Sequence, residues 1–87
     1  MLFRSTMTIG LAKEVAGEGV RVNAVRPGVI DTEIHSANPP ELNERMKQMI
    51  PMRRMGRPDE IAEAVAWLLS DAASYVTGAV LDAGGGY

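Results

Sequence analysis

Val20-Arg21-Val22-Asn23-Ala24-Val25-Arg26-Pro27-Gly28-Val29-Ile30-Asp31-Thr32 is the stretch whose reading decides the fold. Val20 and Val22 alternate, and Ala24 and Val25 then run together, which predicts a mostly buried strand over Val20–Val25. Pro27 has no N–H for a sheet ladder and Gly28 accepts backbone angles that other residues resist, so the strand is expected to stop there. Val29 to Thr32 then leave from the carboxyl end of a strand, the place where open α/β sheets bind their ligands.

Working outward toward the amino terminus, Met7, Leu11 and Val15 fall at i, i+4 and i+8 with Ala12 and Ala16 beside them, one face of a helix. Ser5 or Thr6 is its expected cap, and Gly17 or Gly19 its end. A helix that feeds a buried strand through so short a turn is half of a βαβ unit. On the other side of Thr32 the chain turns polar, and Asn38-Pro39 predicts a helix start with Asn38 as cap. Leu42, Met46, Met49 and Ile50 make a narrow apolar stripe down to Pro51. Arg53, Arg54 and Arg57 make a basic turn that is expected simply to face water. Pro58, Asp59 and Glu60 open the strongest helix, Pro58–Leu69, with Ile61, Ala62, Val65, Leu68 and Leu69 on its apolar face and Ala64 and Trp67 widening it. After a turn at Thr77-Gly78, Ala79–Ala83 reads as a second short strand, followed by Gly84-Gly85-Gly86-Tyr87.

Composition sets outer limits. With 87 residues, 46% hydrophobic and 23% charged, the chain is one small domain at most. Such a chain buries only roughly 60–65% of its unfolded surface. A net charge of −2 gives no electrostatic reason to bind nucleic acid or an anionic membrane. There is no cysteine, which excludes disulfides and thiolate chemistry. No apolar run has the length of a membrane span, and a cytoplasmic location is the expectation. His35 is the single histidine, so a metal site is not expected and none is assigned. Asp31 and Glu33 stand two apart on a loop and need not converge. The terminal glycines lack both the Gly-x-Gly-x-x-Gly spacing and a following helix for a phosphate.

The Arg-Val-Asn-Ala-Val-x-Pro-Gly-x-Ile-x-Thr pattern of Arg21–Thr32 resembles the late segment of the short-chain dehydrogenase/reductase family. The resemblance continues through Pro51-Met52-Arg53-Arg54-Met55-Gly56-Arg57-Pro58-Asp59-Glu60-Ile61-Ala62 and through Leu69–Gly78 into the last strand. Thr32-Glu33-Ile34-His35 is similar to sugar- or glucose-dehydrogenase-like members. The resemblance implies an α/β fold: the carboxy-terminal part of a Rossmann-type doubly wound parallel sheet, with two strands and about three helices. It also implies an oxidoreductase that interconverts an alcohol and a carbonyl compound with NAD or NADP. Pro27 and Gly28 would floor the nicotinamide, the backbone of Ile30 would meet its carboxamide, and Thr32 would bond the carboxamide or a phosphate. Asn38–Ile50 would be the substrate loop, and the Pro58–Leu69 helix with the last strand a homo-oligomer surface.

Gly84 stands where members commonly carry Asp, which leaves that carboxylate's contact without a source here. The family's Tyr-x-x-x-Lys pair is also missing. The lysines are Lys13 and Lys47, with Ile9 and Asn43 four places before them. No catalytic residue is assigned, and residues 6–87 are expected to be a fragment that binds no cofactor and is inactive alone. Residues 1–5 do not resemble the family and are expected to be a foreign leader, such as translated adapter. The alternative is a small non-catalytic module that associates with related subunits.

Overall fold

The computed structural model describes residues 2–87, and the side chains from Ser5 onward. The chain runs α1 (Leu2–Val15), β1 (Ala24–Pro27), α2 (Glu33–Ser36), α3 (Pro40–Met49), α4 (Pro58–Leu69) and β2 (Val80–Ala83), with single 3-10 turns at Ala16–Glu18 and Asp71–Ala73. β1 and β2 lie parallel in one two-stranded sheet, paired Ala24–Val80, Val25–Leu81, Arg26–Asp82 and Pro27–Ala83. This is the expected α/β class, with one more helix than expected in α2.

α1 begins before the anticipated cap, so Ser5 and Thr6 lie within the helix rather than at its start. Met1 of the expected leader lies outside the described residues. Gly19 ends the following 3-10 turn at φ 77°, a left-handed position that glycine takes without a Cβ penalty.

The first strand is shorter at its start and longer at its end than expected. Val20–Asn23 make no ladder, although Val22 and Asn23 stay bonded to the facing chain around Gly78, which sits at φ 76°. Loop bonds replace the ladder. Val22 N–H donates to Thr77 Oγ1 at 3.1 Å, and Val22 C=O accepts from Gly78 N–H at 2.7 Å. Asn23 donates to Val76 C=O at 2.9 Å and accepts from Ala79 N–H at 3.0 Å. Pro27, expected to end the strand, is inside it. Ala24 N–H and Gly28 N–H donate to Ala79 and Ala83 carbonyls, so the even-numbered residues of β1 face β2. Pro27 faces the open edge, where its missing N–H costs the ladder nothing.

The buried apolar residues among those described are Ala12, Ile50, Met55, Leu68 and Ala73, a very small core. The Cα radius of gyration is 15.7 Å, against about 12 Å for a compact chain of this length. The apolar face of α4 is accordingly corrected. Leu68 is buried, but Ala62 and Val65 are exposed, Leu69 is 77% exposed and Trp67 is 47% exposed, because no element among the described residues covers them. α3 is corrected too. Pro39 is its cap residue and Pro40 its first residue, while Asn38 instead donates to Asn43 Oδ1 at 3.2 Å. Of the α3 stripe, Ile50 is buried and Met49 faces solvent.

Candidate functional site

The four residues expected to form the site occupy one continuous run leaving β1. Pro27 is the last strand residue, paired with Ala83, and Gly28 follows it with its N–H donated to Ala83 C=O at 3.1 Å. Gly28 is required by space rather than by dihedral angle, since its φ is not positive. A Cβ built there would stand 2.7 Å from Gly84 Cα. The two glycines let the chain beyond β1 lie directly against the chain beyond β2. An open groove of about 610 Å³ runs beside them, walled by Arg26, Asp82 and Tyr87.

Ile30 is held by a single parallel bridge to Gly56. Gly56 N–H donates to Val29 C=O at 2.9 Å, and Asp31 N–H donates to Gly56 C=O at 2.8 Å. The bridge uses the flanking residues, so it turns Ile30's own N–H and C=O to the opposite side, where they make no hydrogen bond among the described residues. A Cβ at Gly56 would meet Ile30 Cδ1 at 2.9 Å, a contact that the end of the Ile30 side chain can relieve by moving. Thr32 is the cap residue of α2. Its carbonyl accepts from His35 N–H at 3.0 Å, while its hydroxyl makes no capping bond.

The surrounding elements are fixed by charge and by polar side chains. The basic turn does not simply face water, as the sequence suggested. Arg54 forms a two-pronged ion pair with Glu60 at 2.7 and 2.8 Å, and Arg57 pairs with Asp59 at 3.2 Å. Glu60 also accepts from Arg57 N–H at 2.9 Å, which holds the first turn of α4. The Arg54 guanidinium, then that N–H, lower the Glu60 carboxyl from 4.5 to about 2. Arg53, at φ 62°, donates to the Gln48 carbonyl. Arg21 donates to Leu68 C=O at 2.6 Å and Ser70 C=O at 3.3 Å, bringing a cation to the end of α4, whose own last turn has none.

Asp31 and Glu33 are exposed, and no group of His, Asp and Glu among the described residues is arranged to hold a metal ion. His35 Nδ1 lies 3.4 Å from Asn38 Nδ2 and Asn43 donates to the His35 carbonyl, so His35 helps join α2 to α3. No helix among the described residues is long and apolar enough to cross a membrane. Reading the sequence missed Asn23, Arg21 and Gly56 as fixing residues, and it missed the Arg26–Asp82 pair. Their signals were an Asn four places before Pro27, a glycine between two arginines, and opposite charges in two strand segments whose register only the fold supplies.

The chain is similar to known proteins over nearly its whole length. A family model described as enoyl-(acyl carrier protein) reductase matches residues 5–87. Oxidoreductase YgfF of Escherichia coli (strain K12) is 55% identical over 82 residues, covering 93% of this chain and 33% of the relative. Galactitol 2-dehydrogenase (L-tagatose-forming) of Cereibacter sphaeroides is 53% identical over 83 residues, 93% of this chain and 33% of the relative. Among solved structures, the 3-oxoacyl-[acyl-carrier protein] reductase from Brucella melitensis ATCC 23457 superposes with a TM-score of 0.90 at 39% identity, covering 94% of this chain and 31% of that one. The chain spans about a third of the length of the relatives it matches.

Proposed function

The chain belongs to the short-chain dehydrogenase/reductase family, and we propose that residues 6–87 are the carboxy-terminal part of an NAD(P)-dependent oxidoreductase that interconverts an alcohol and a carbonyl compound. The observation that carries this reading is the run from Pro27 to Thr32. It places a bare glycine step at the sheet's carboxyl edge and a backbone donor and acceptor, those of Ile30, with no partner among the described residues. Those residues fit a nicotinamide. Pro27 and Gly28 would form the floor beneath it, the Ile30 N–H and C=O would meet a carboxamide that is itself both donor and acceptor, and the Thr32 hydroxyl would bond the carboxamide or a phosphate oxygen.

When bound, the cofactor supplies or accepts the hydride. The contribution of this chain is orientation. Groups on a strand end, anchored by ladder and bridge, restrict the pose far better than a free loop would. The catalytic Tyr-x-x-x-Lys and the pyrophosphate turn would come from the remainder of the full-length protein, and the 87 residues alone would neither turn over nor bind NADH. A sugar alcohol is the first substrate to assay, since galactitol 2-dehydrogenase is among the relatives. A homo-oligomer through α4 and β2 would cover part of the apolar surface that α4 leaves exposed, and a cytoplasmic protein is the matching location. The reading as a small interaction module is not favoured, because the relatives named for an activity are dehydrogenases and reductases.

The test is a titration of the purified 87-residue chain with NADH beside that of the full-length protein, followed by an assay of both on polyols and ketones. Saturable binding and turnover are expected only of the full-length protein. Oxidation of any alcohol by the 87 residues alone would overturn the proposal.

A further inference from the structure

Arg26 and Asp82 face each other in register on adjacent parallel strands, one residue before Pro27 and two before Gly28. Their contact is a fork on a fork, Nε to Oδ1 at 2.5 Å and one terminal nitrogen to Oδ2 at 3.0 Å. A lysine at position 26 could supply the charge but not the two parallel bonds. Beyond this rung the sheet has one more pair, Pro27–Ala83, and just past it Gly28 N–H donates to Ala83 C=O. Gly28 and Gly84 then touch through bare backbone, with no side chain of either to hold the separation. The side-chain lock nearest to the Gly28 step is therefore the Arg26–Asp82 pair.

We infer that Arg26 and Asp82 are positioning residues, a two-pronged clasp across the sheet's end that sets where Gly28 and the run to Ile30 stand. The inference rests on the proposed nicotinamide role of that run. Each partner favours the other's charged form, the carboxyl of Asp82 being pulled below and the guanidinium of Arg26 raised above its ordinary value. The pair is solvent-exposed and adds little to global stability. Its effect is local: it restrains two strand ends beyond which Gly28 and Gly84 offer no side chain to hold the separation.

The experiment uses the full-length protein carrying R26A, D82A, R26K and the charge-swapped double variant R26D/D82R. Amide exchange at Gly28 is measured without cofactor, and affinities for NADH and for ADP-ribose, which lacks the nicotinamide, are measured separately. The single alanine variants are expected to speed Gly28 exchange by about threefold, the scale of an exposed pair. They should weaken NADH by a similar factor while leaving ADP-ribose unchanged. R26K should recover little and the swap should recover both readouts. Exchange that does not change, parallel loss of both ligands, or a swap that fails to restore would each overturn the clasp. A wild-type protein that binds neither ligand would instead refute the cofactor reading, while Gly28 exchange would still decide the clasp.

Discussion

Substituting Gly28 by alanine puts a single methyl group at the tightest backbone approach in the sheet. The new Cβ would stand 2.7 Å from Gly84 Cα, 3.3 Å from its carbonyl oxygen and 3.4 Å from its carbonyl carbon. An ordinary contact begins near 3.4 Å, so the two strand ends must separate by about 0.7 Å. The obstacle is backbone, tied by Gly28 N–H to Ala83 C=O, and cannot swing aside as a side chain does. Overpacking of this kind costs about 1–3 kcal/mol. In a protein about three times the length of this chain, each kcal/mol lowers Tm by about 2–4 °C. Gly28→Ala in the full-length protein should therefore melt about 2–12 °C lower by calorimetry. The mirror substitution supplies the control. A Cβ at Gly84 would meet Gly28 Cα at 3.5 Å, an ordinary contact, and its φ is not positive, so Gly84→Ala should melt within about 2 °C of the parent. Equal melting of the two variants would refute the reasoning, because it would show that the strands relax apart without cost.

Asn23→Ala removes one donated and one accepted hydrogen bond and leaves Val76 C=O and Ala79 N–H without that partner; a loss of about 1–3 kcal/mol in a urea titration is expected. Glu60, held at about 2 in the folded chain, supports the start of α4 fully above its ordinary value of 4.5, and that support is lost as pH falls from there toward 2. The protection of the Arg57 amide, its exchange relative to the unfolded chain at the same pH, should therefore fall over that window, and E60Q should show low protection throughout it. Trp67→Glu and Leu69→Glu place charge on the two exposed flanks of α4, one on each side of the buried Leu68; the variant whose flank lies in the proposed oligomer contact should shift the full-length protein to a smaller species in light scattering.

Much of this architecture is legible in the residues. Pro58, Asp59 and Glu60 start α4 where they stand in the sequence, Gly19 stops the turn after α1, and Val25 and Leu81 fall in the two strands. The errors arise where a distant group decides a local outcome. Val20–Asn23 have a strand pattern but no ladder, because the Thr77 hydroxyl and the Asn23 amide take the backbone bonds that a ladder would use. Pro27 looks like a stop but is a strand residue, because the register aims its missing N–H outward. Gly28 looks like a dihedral requirement and is instead a contact requirement, visible only once Gly84 lies opposite. At the candidate site, the run Pro27–Thr32 could be found from its motif, but the use of Val29 and Asp31 to bridge Gly56 depends on a pairing across twenty-five intervening residues. Arg26 and Asp82, fifty-six residues apart, carry no joint signal until the two strands are paired.

The bridge between Ile30 and Gly56 closes the intervening excursion at its base, and Ile50–Met52 tie its return limb to the body a second time, Ile50 being buried and Met52 N–H donating to Gly85 C=O at 3.0 Å. Lengthening such an excursion is inexpensive, since doubling a loop adds only about 0.6 kcal/mol of closure entropy. Helices α2 and α3 can therefore be rewritten or exchanged while the anchor, and whatever docks against it, keeps its position. A scaffold divided in this way can change its polar helices without risking its frame, and grafting a relative's segment between Asp31 and Met49, short of the buried Ile50, is the direct way to use it.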